Sequence, residues 1–205
     1  MKLSLLRVHP GIRNDFKLSA RGLFLLKALY PPRSYCVQVL NKTHHDTEYG
    51  FPLEDDNLLF ERLILEINQA GLSWITILKK ADNFRKAYDG FDIDKVAKYR
   101  EQDVARLLAD AGIIRNRLKI NAAIVNAQKI LELQKEHGSF KAWLDANRKL
   151  SKEEWIKLFK RNFVFACGEI VNEFLVSTGY LPGAHTPDCP IYEVVIAEGP
   201  AWYAS

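Results

Sequence analysis

From Asp55 onward, apolar residues recur with a period near 3.6. Leu58, Leu59, Leu63 and Ile67 follow the polar run Glu54-Asp55-Asp56-Asn57, the pattern of a capped helix that Gly71 ends. Residues 74–88 predict a second helical region. Asp92, Glu101 and Ser151 mark further helix starts. Arg117–His137 is the longest periodic stretch, with Ile120, Ile124, Ala127, Ile130 and Leu131 on one face and Gly138 behind it. Residues 169–177 predict another helix before Gly179. Residues 35–40 are the single short strand candidate. The reading is an all-α bundle of roughly eight helices.

Composition changes this picture little. The chain has 205 residues, 48% hydrophobic and 26% charged, which suits one sizeable core and argues against disorder throughout. No segment has the run of about 20 apolar residues that spans a membrane. Three cysteines do not make a disulfide framework, so a reducing compartment is expected. Charge is more informative. Residues 1–35 hold seven basic residues against Asp15 alone, a net +6, so residues 36–205 carry −2 of the total +4. The first 35 residues therefore read as a basic extension, disordered or serving as a nucleic-acid arm or a transit-like peptide. Residues 36–205 read as a single domain whose nucleic-acid binding would need a local patch.

Three segments carry candidate chemistry. Glu66 lies near a helix C-terminus, where a carboxylate calls for a cationic partner; a cation stacked on Trp74 would supply one. Cys36, His45, His185 and Cys189 form a set of zinc-type ligands, the last two four residues apart. Gly112 lies between two helices, with Ile113, Arg115, Arg117 and Lys119 after it. This is the pattern of a turn and helix N-terminus that hold phosphate.

Taken in order, residues 44–50 (HHDTEYG), 66–80 (EINQAGLSWITILKK), 110–120 (DAGIIRNRLKI) and 183–190 (GAHTPDCP) strongly resemble the DNA-3-methyladenine glycosylase I family. That family belongs to the helix-hairpin-helix DNA glycosylases. The resemblance runs from about Cys36 to Pro190. It implies a helix-hairpin-helix bundle whose terminal region is clipped by zinc. It also implies a monofunctional hydrolase that flips 3-methyladenine out of double-stranded DNA and releases the free base. Glu66 then recognises the base and Trp74 stacks on it. His44 stands where the pocket commonly has a Tyr, and Tyr49 replaces a Trp; both are expected to touch substrate. Gly112, Ile113, Arg115, Arg117 and Lys119 form the DNA-gripping hairpin. Cys36, His45, His185 and Cys189 are the implied ligands of a structural zinc, with Cys36 about four residues nearer the histidine than is usual. Asn41 replaces a second Tyr, and Cys167-Gly168 replaces the usual Gly-Pro. These departures leave open two alternatives: a DNA-binding module without excision, or a glycosylase for other alkylated purines. Residues 163–179 contain neither the Asp that assists water in many relatives nor a Lys for Schiff-base chemistry. A cytoplasmic monomer that works on DNA and avoids membranes completes the expectation.

Overall fold

The computed structural model describes residues 39–203, with side chains from 42 onward. The basic extension and Cys36 lie outside the described residues, which all belong to one compact unit, residues 37–205. The described residues contain eleven α-helices, one 3-10 turn and no strand. None of these helices is long and apolar enough to cross a membrane.

The helices are α1 (Val39–Thr47), α2 (Asp56–Gln69), α3 (Trp74–Leu78), α4 (Ala81–Ala87), α5 (Ile93–Val96), α6 (Glu101–Ala109), α7 (Arg117–His137), α8 (Phe140–Ala146), α9 (Lys152–Asn162), α10 (Gly168–Ser177) and α11 (Tyr192–Ala197). The 3-10 turn, Asp89–Phe91, lies between α4 and α5. Val39 and Leu40 open a helix instead of a strand; β-propensity is weak and tertiary context overrides it. The expected second helical region divides at Lys79-Lys80 into α3 and α4.

Helix α2 is the central rod, buried continuously from Leu59 to Asn68. Asp55 caps its start by accepting a hydrogen bond from Leu58 N. Asp56 accepts from Gln134, Phe140 N and Lys141 N, which ties the start of α2 to the end of α7 and the beginning of α8. The other end of α2 is held by Lys119, whose ammonium donates to the carbonyls of Asn68 and Ala70 at 3.1 and 3.0 Å. A cation at the negative end of a helix dipole is favourable, and two otherwise orphaned carbonyls gain a donor. Gly71, at φ 84°, then turns the chain into α3, a conformation glycine adopts without strain. Both ends of the rod are thus fixed against α7, which fixes where Glu66 sits.

Two aromatic groups fill the core. Tyr88 and Phe91 stack at 5.4 Å, with Phe60 packed edge-on to Phe91. Phe140, Trp143, Trp155, Phe159, Phe163 and Phe174 form the second group beneath α8, α9 and α10. Each fully buried ring contributes roughly 1.5–3 kcal/mol.

Candidate functional site

Four elements converge on Glu66. Helix α2 supplies Glu66 and Arg62, one turn apart. Helix α1 supplies His44, the turn after it supplies Glu48 and Tyr49, and α3 supplies Trp74. Helix α10 supplies Glu173. The ring centroids of His44 and Trp74 are 5.3 Å apart, and those of His44 and Tyr49 6.0 Å.

The polar groups here are unusually short of partners. Glu66 is 4% exposed, and among the described residues nothing hydrogen-bonds to its carboxylate. Burial, helped by the charge of Glu173 and opposed by Arg62, pushes its pKa up to about 8. Nε2 of His44, Nη1 of Arg62 and Nε1 of Trp74 are also buried without a hydrogen-bond partner among the described residues. Buried polar atoms are normally satisfied, so a cluster of four incomplete groups is a site built for something else to bind.

Their charge states follow from the surroundings. Burial lowers the pKa of His44, so its ring is neutral at pH 7. Its Nδ1 lies 3.1 Å from Glu48, and Arg62 lies 3.6 Å from the same oxygen. The His44 hydrogen bond and the Arg62 charge, against burial, hold Glu48 down at about 2. With Nδ1–H donating to that carboxylate, Nε2 of His44 is left as an acceptor. Tyr49 donates its hydroxyl to Glu173 at 3.0 Å. The site therefore offers a flat indole, an imidazole acceptor and a buried carboxyl group. That combination fits a planar ligand carrying N–H groups and positive charge.

The metal-type set assembles beside it. Cys189 Sγ is 3.4 Å from His185 Nδ1 and 3.8 Å from His45 Nε2, and the three ligand atoms lie within 4.8 Å of one another. The four-residue spacing of His185 and Cys189 works without a helix: the segment is a turn, closed by Cys189 N donating to Thr186 O. Each histidine has its other ring nitrogen occupied. His185 Nε2 lies 2.8 Å from the Tyr49 carbonyl and His45 Nδ1 lies 2.8 Å from Asp46. Such outer partners fix the ring and tautomer that a metal needs. Gly50 makes the approach possible: at φ 84°, a Cβ there would sit 2.5 Å from that of Ala184.

The hairpin joins α6 to α7. Gly112 N donates to Asp110 at 2.7 Å, and Lys80 donates to the carbonyls of Ala111 and Gly112 at 2.9 and 3.1 Å. A Cβ on Gly112 would lie 2.9 Å from Asp110 Oδ1, which explains the glycine. Ile113 is buried beneath the turn. Asn116 caps α7 by accepting from the backbone of Leu118 and Lys119. Arg115 is exposed, and Arg117 is exposed and paired with Glu101 at 2.7 Å. Lys119 departs from the expected phosphate contact. It is 8% exposed, and its ammonium is committed to the end of α2. Sequence reading also missed Arg62, Glu48 and Glu173. For Arg62 and Glu173 the signal is a charged side chain inside a largely apolar helix; Glu48, in the turn after α1, carries no such signal.

Known proteins resemble the chain along most of its length. The sequence pattern of the methyladenine glycosylase family matches residues 36–162. A DNA-3-methyladenine glycosylase of Haemophilus influenzae is 37% identical over 166 residues, 72% of this chain and 89% of that protein. DNA-3-methyladenine glycosylase 1 of Escherichia coli is 50% identical over 97 residues; this match spans 47% of the chain and about half, 52%, of that relative. A Staphylococcus aureus 3-methyladenine DNA glycosylase I, solved to explain 3-methyladenine recognition, superposes with a TM-score of 0.69 at 30% identity. That match covers 76% of this chain and 92% of the other.

Proposed function

The chain belongs to the methyladenine glycosylase family, and from that premise we propose that it hydrolyses the N-glycosidic bond of 3-methyladenine in alkylated double-stranded DNA. The observation that carries this reading is the buried Glu66 carboxyl group, without a hydrogen-bond partner among the described residues, whose charge acts on Tyr49, the ring packed against His44 of the Trp74–His44 pair.

Methylation at N3 makes adenine cationic and a good leaving group while it is still bonded to deoxyribose. The protein therefore has to supply access and recognition more than acid catalysis. The hairpin holds the backbone through Arg115 and Arg117. Flipping the base costs a few kcal/mol, least for a damaged one. In the pocket the base stacks on Trp74. Its N–H edge donates to Glu66, and His44 Nε2 is a second acceptor. The bound cation draws the Glu66 proton off, because an ion pair in a buried site favours the charged form. A neutral adenine gives Glu66 no such partner, so the carboxyl keeps its proton and the charge-assisted hydrogen bond does not form. Water adds to C1′ of the sugar as the bond to the base breaks; the bonding electron pair leaves with the base, which becomes neutral, and one water proton passes to solvent. The products are free 3-methyladenine and an abasic strand. Residues 163–179 contain no lysine for a Schiff base, in keeping with a hydrolase without strand cleavage.

His45, His185 and Cys189 suit a zinc ion by donor type, by proximity and by the outer contacts of both rings. Cys36, outside the described residues, is the proposed fourth ligand. With four protein ligands the ion would be structural, clipping the segment before α2 to the turn before α11. The test of the reading is incubation with methylated duplex DNA. Free 3-methyladenine should be released and the abasic strand left unbroken.

A further inference from the structure

The grip on the strand and the pocket for its base come from segments far apart in the chain. Trp74 opens α3, whereas Arg115 and Arg117 follow the turn between α6 and α7. Two lysines join these segments, one from each side. Lys80, at the junction of α3 and α4, donates to the carbonyls of Ala111 and Gly112 at 2.9 and 3.1 Å. Lys119, in the first turn of α7, donates back to the carbonyls of Asn68 and Ala70, just before the turn that leads into Trp74. Residues 68–80 and 111–119 thus exchange four hydrogen bonds through two ammonium groups.

Lys119 is accounted for by the end of α2, but Lys80 serves no helix end. It is half-buried, and among the described residues no carboxylate lies within 4.0 Å of its ammonium. It is also the sole hydrogen-bond donor to either carbonyl among those residues. An ammonium shared by two successive carbonyls fixes the planes of two successive peptides. The turn rests on the same element: a Cβ on Gly112 would lie 3.1 Å from that of Asn83, three residues after Lys80. A flipped nucleotide joins its phosphate to its base through a fixed set of covalent bonds. The hairpin that holds the phosphate must therefore stand at a set distance from the pocket that receives the base, and small misplacements are costly.

We propose that Lys80 is a positioning residue, which holds the DNA-gripping turn in register with the base pocket while touching neither DNA nor base. The inference rests on the glycosylase reading above and deepens it. The contribution of Lys80 is confined to the step that uses grip and pocket together. Binding of free base uses the pocket alone, and binding of undamaged duplex uses the grip alone; neither depends on the distance between them.

The test uses the full-length protein and compares wild type with Lys80→Met, Lys80→Arg and Lys79→Met, well below the melting temperature of the least stable variant. Three quantities are read: affinity for free 3-methyladenine, the salt slope of binding to undamaged duplex, and the single-turnover rate of base release from methylated duplex at saturating protein. Lys80→Met keeps the stem and removes the donors. It should release base about 10- to 100-fold more slowly, with free-base affinity within about twofold of wild type and the salt slope unchanged. Lys80→Arg can still donate to the turn and should return the rate to within about threefold of wild type. Lys79→Met loses the same charge from an exposed neighbour and should release base at the wild-type rate. A wild-type rate in Lys80→Met would overturn the proposal, because a lysine that only stabilises the fold would lower the melting temperature and leave the folded protein as fast. A salt slope lower by about one in Lys80→Met would overturn it too, since Lys80 would then meet a phosphate itself. So would an equal slowing in Lys79→Met, or a free-base affinity that falls in step with the rate in Lys80→Met. No release by the wild type would remove the glycosylase reading and this inference with it, whereas normal wild-type release with an unchanged rate in Lys80→Met removes this inference alone.

Discussion

His44 and Trp74, from α1 and α3, hold their rings 5.3 Å apart at 52°, and each carries a buried nitrogen with no partner among the described residues. A tilted pair of this kind leaves the face of one ring and the edge of the other available to a third flat group. Stacking of a base on an aromatic side chain is worth about 1–3 kcal/mol. Trp74→Ala should therefore weaken binding of free 3-methyladenine by roughly 5- to 100-fold. Isothermal titration on the folded variant checks this; unchanged affinity would take the indole out of the pocket.

Glu66 gives a pH signature in the empty protein. An ordinary glutamate releases its proton near 4.5, but here burial raises the value to about 8. Across that window the folded chain keeps a proton that the unfolded chain has lost, so this residue lowers stability as pH rises. Glu66→Gln should consequently be more stable than wild type at pH 8, by on the order of 1–3 kcal/mol, and no more stable at pH 4. Thermal melts of both proteins across that range read the difference directly.

On the hairpin, two neighbouring basic residues should behave oppositely. Arg115→Ala should leave the melting temperature unchanged and reduce the salt slope of DNA binding by about one. Lys119→Ala should leave the slope alone and cost about 1–3 kcal/mol of stability, because the carbonyls of Asn68 and Ala70 lose their donor. A lower slope in Lys119→Ala would return that side chain to the DNA face.

Much of this architecture is legible in the chain. Arg117–His137 forms the predicted helix because its apolar period, the Asn116 cap and Gly138 all agree. Asp92 and Ser151 cap helices as their residue types require. What periodicity cannot show is which charged residue turns inward. Lys119 looks like part of a basic run with Arg115 and Arg117, but its place on α7 faces the end of α2. Arg62 and Glu173 are unremarkable by type, and only the packing of α2 and α10 brings them to Glu66. The strand expected at residues 35–40 failed at Val39 and Leu40 because a short β-branched run carries no decisive preference.

The proposed zinc clip predicts a coupled loss. Protein purified without chelator should contain about one zinc per chain. Chelation should lower the melting temperature, since a ligand that binds only the folded state stabilises it. Cys189→Ser should reduce zinc content and melting temperature together, and Cys36→Ala should do the same if Cys36 is the fourth ligand. Full stability in metal-free protein would mean that His45, His185 and Cys189 pack without an ion.

The most direct measurement is single-turnover release of bases from methylated duplex DNA, with the products separated by chromatography, for wild type and Glu66→Gln. The wild type should release 3-methyladenine and leave undamaged adenine in place. Glu66→Gln should be slower by roughly 10- to 100-fold, the worth of a hydrogen bond to a charged group. A wild type that releases no 3-methyladenine, or a Glu66→Gln variant that releases it at the wild-type rate, would contradict the account.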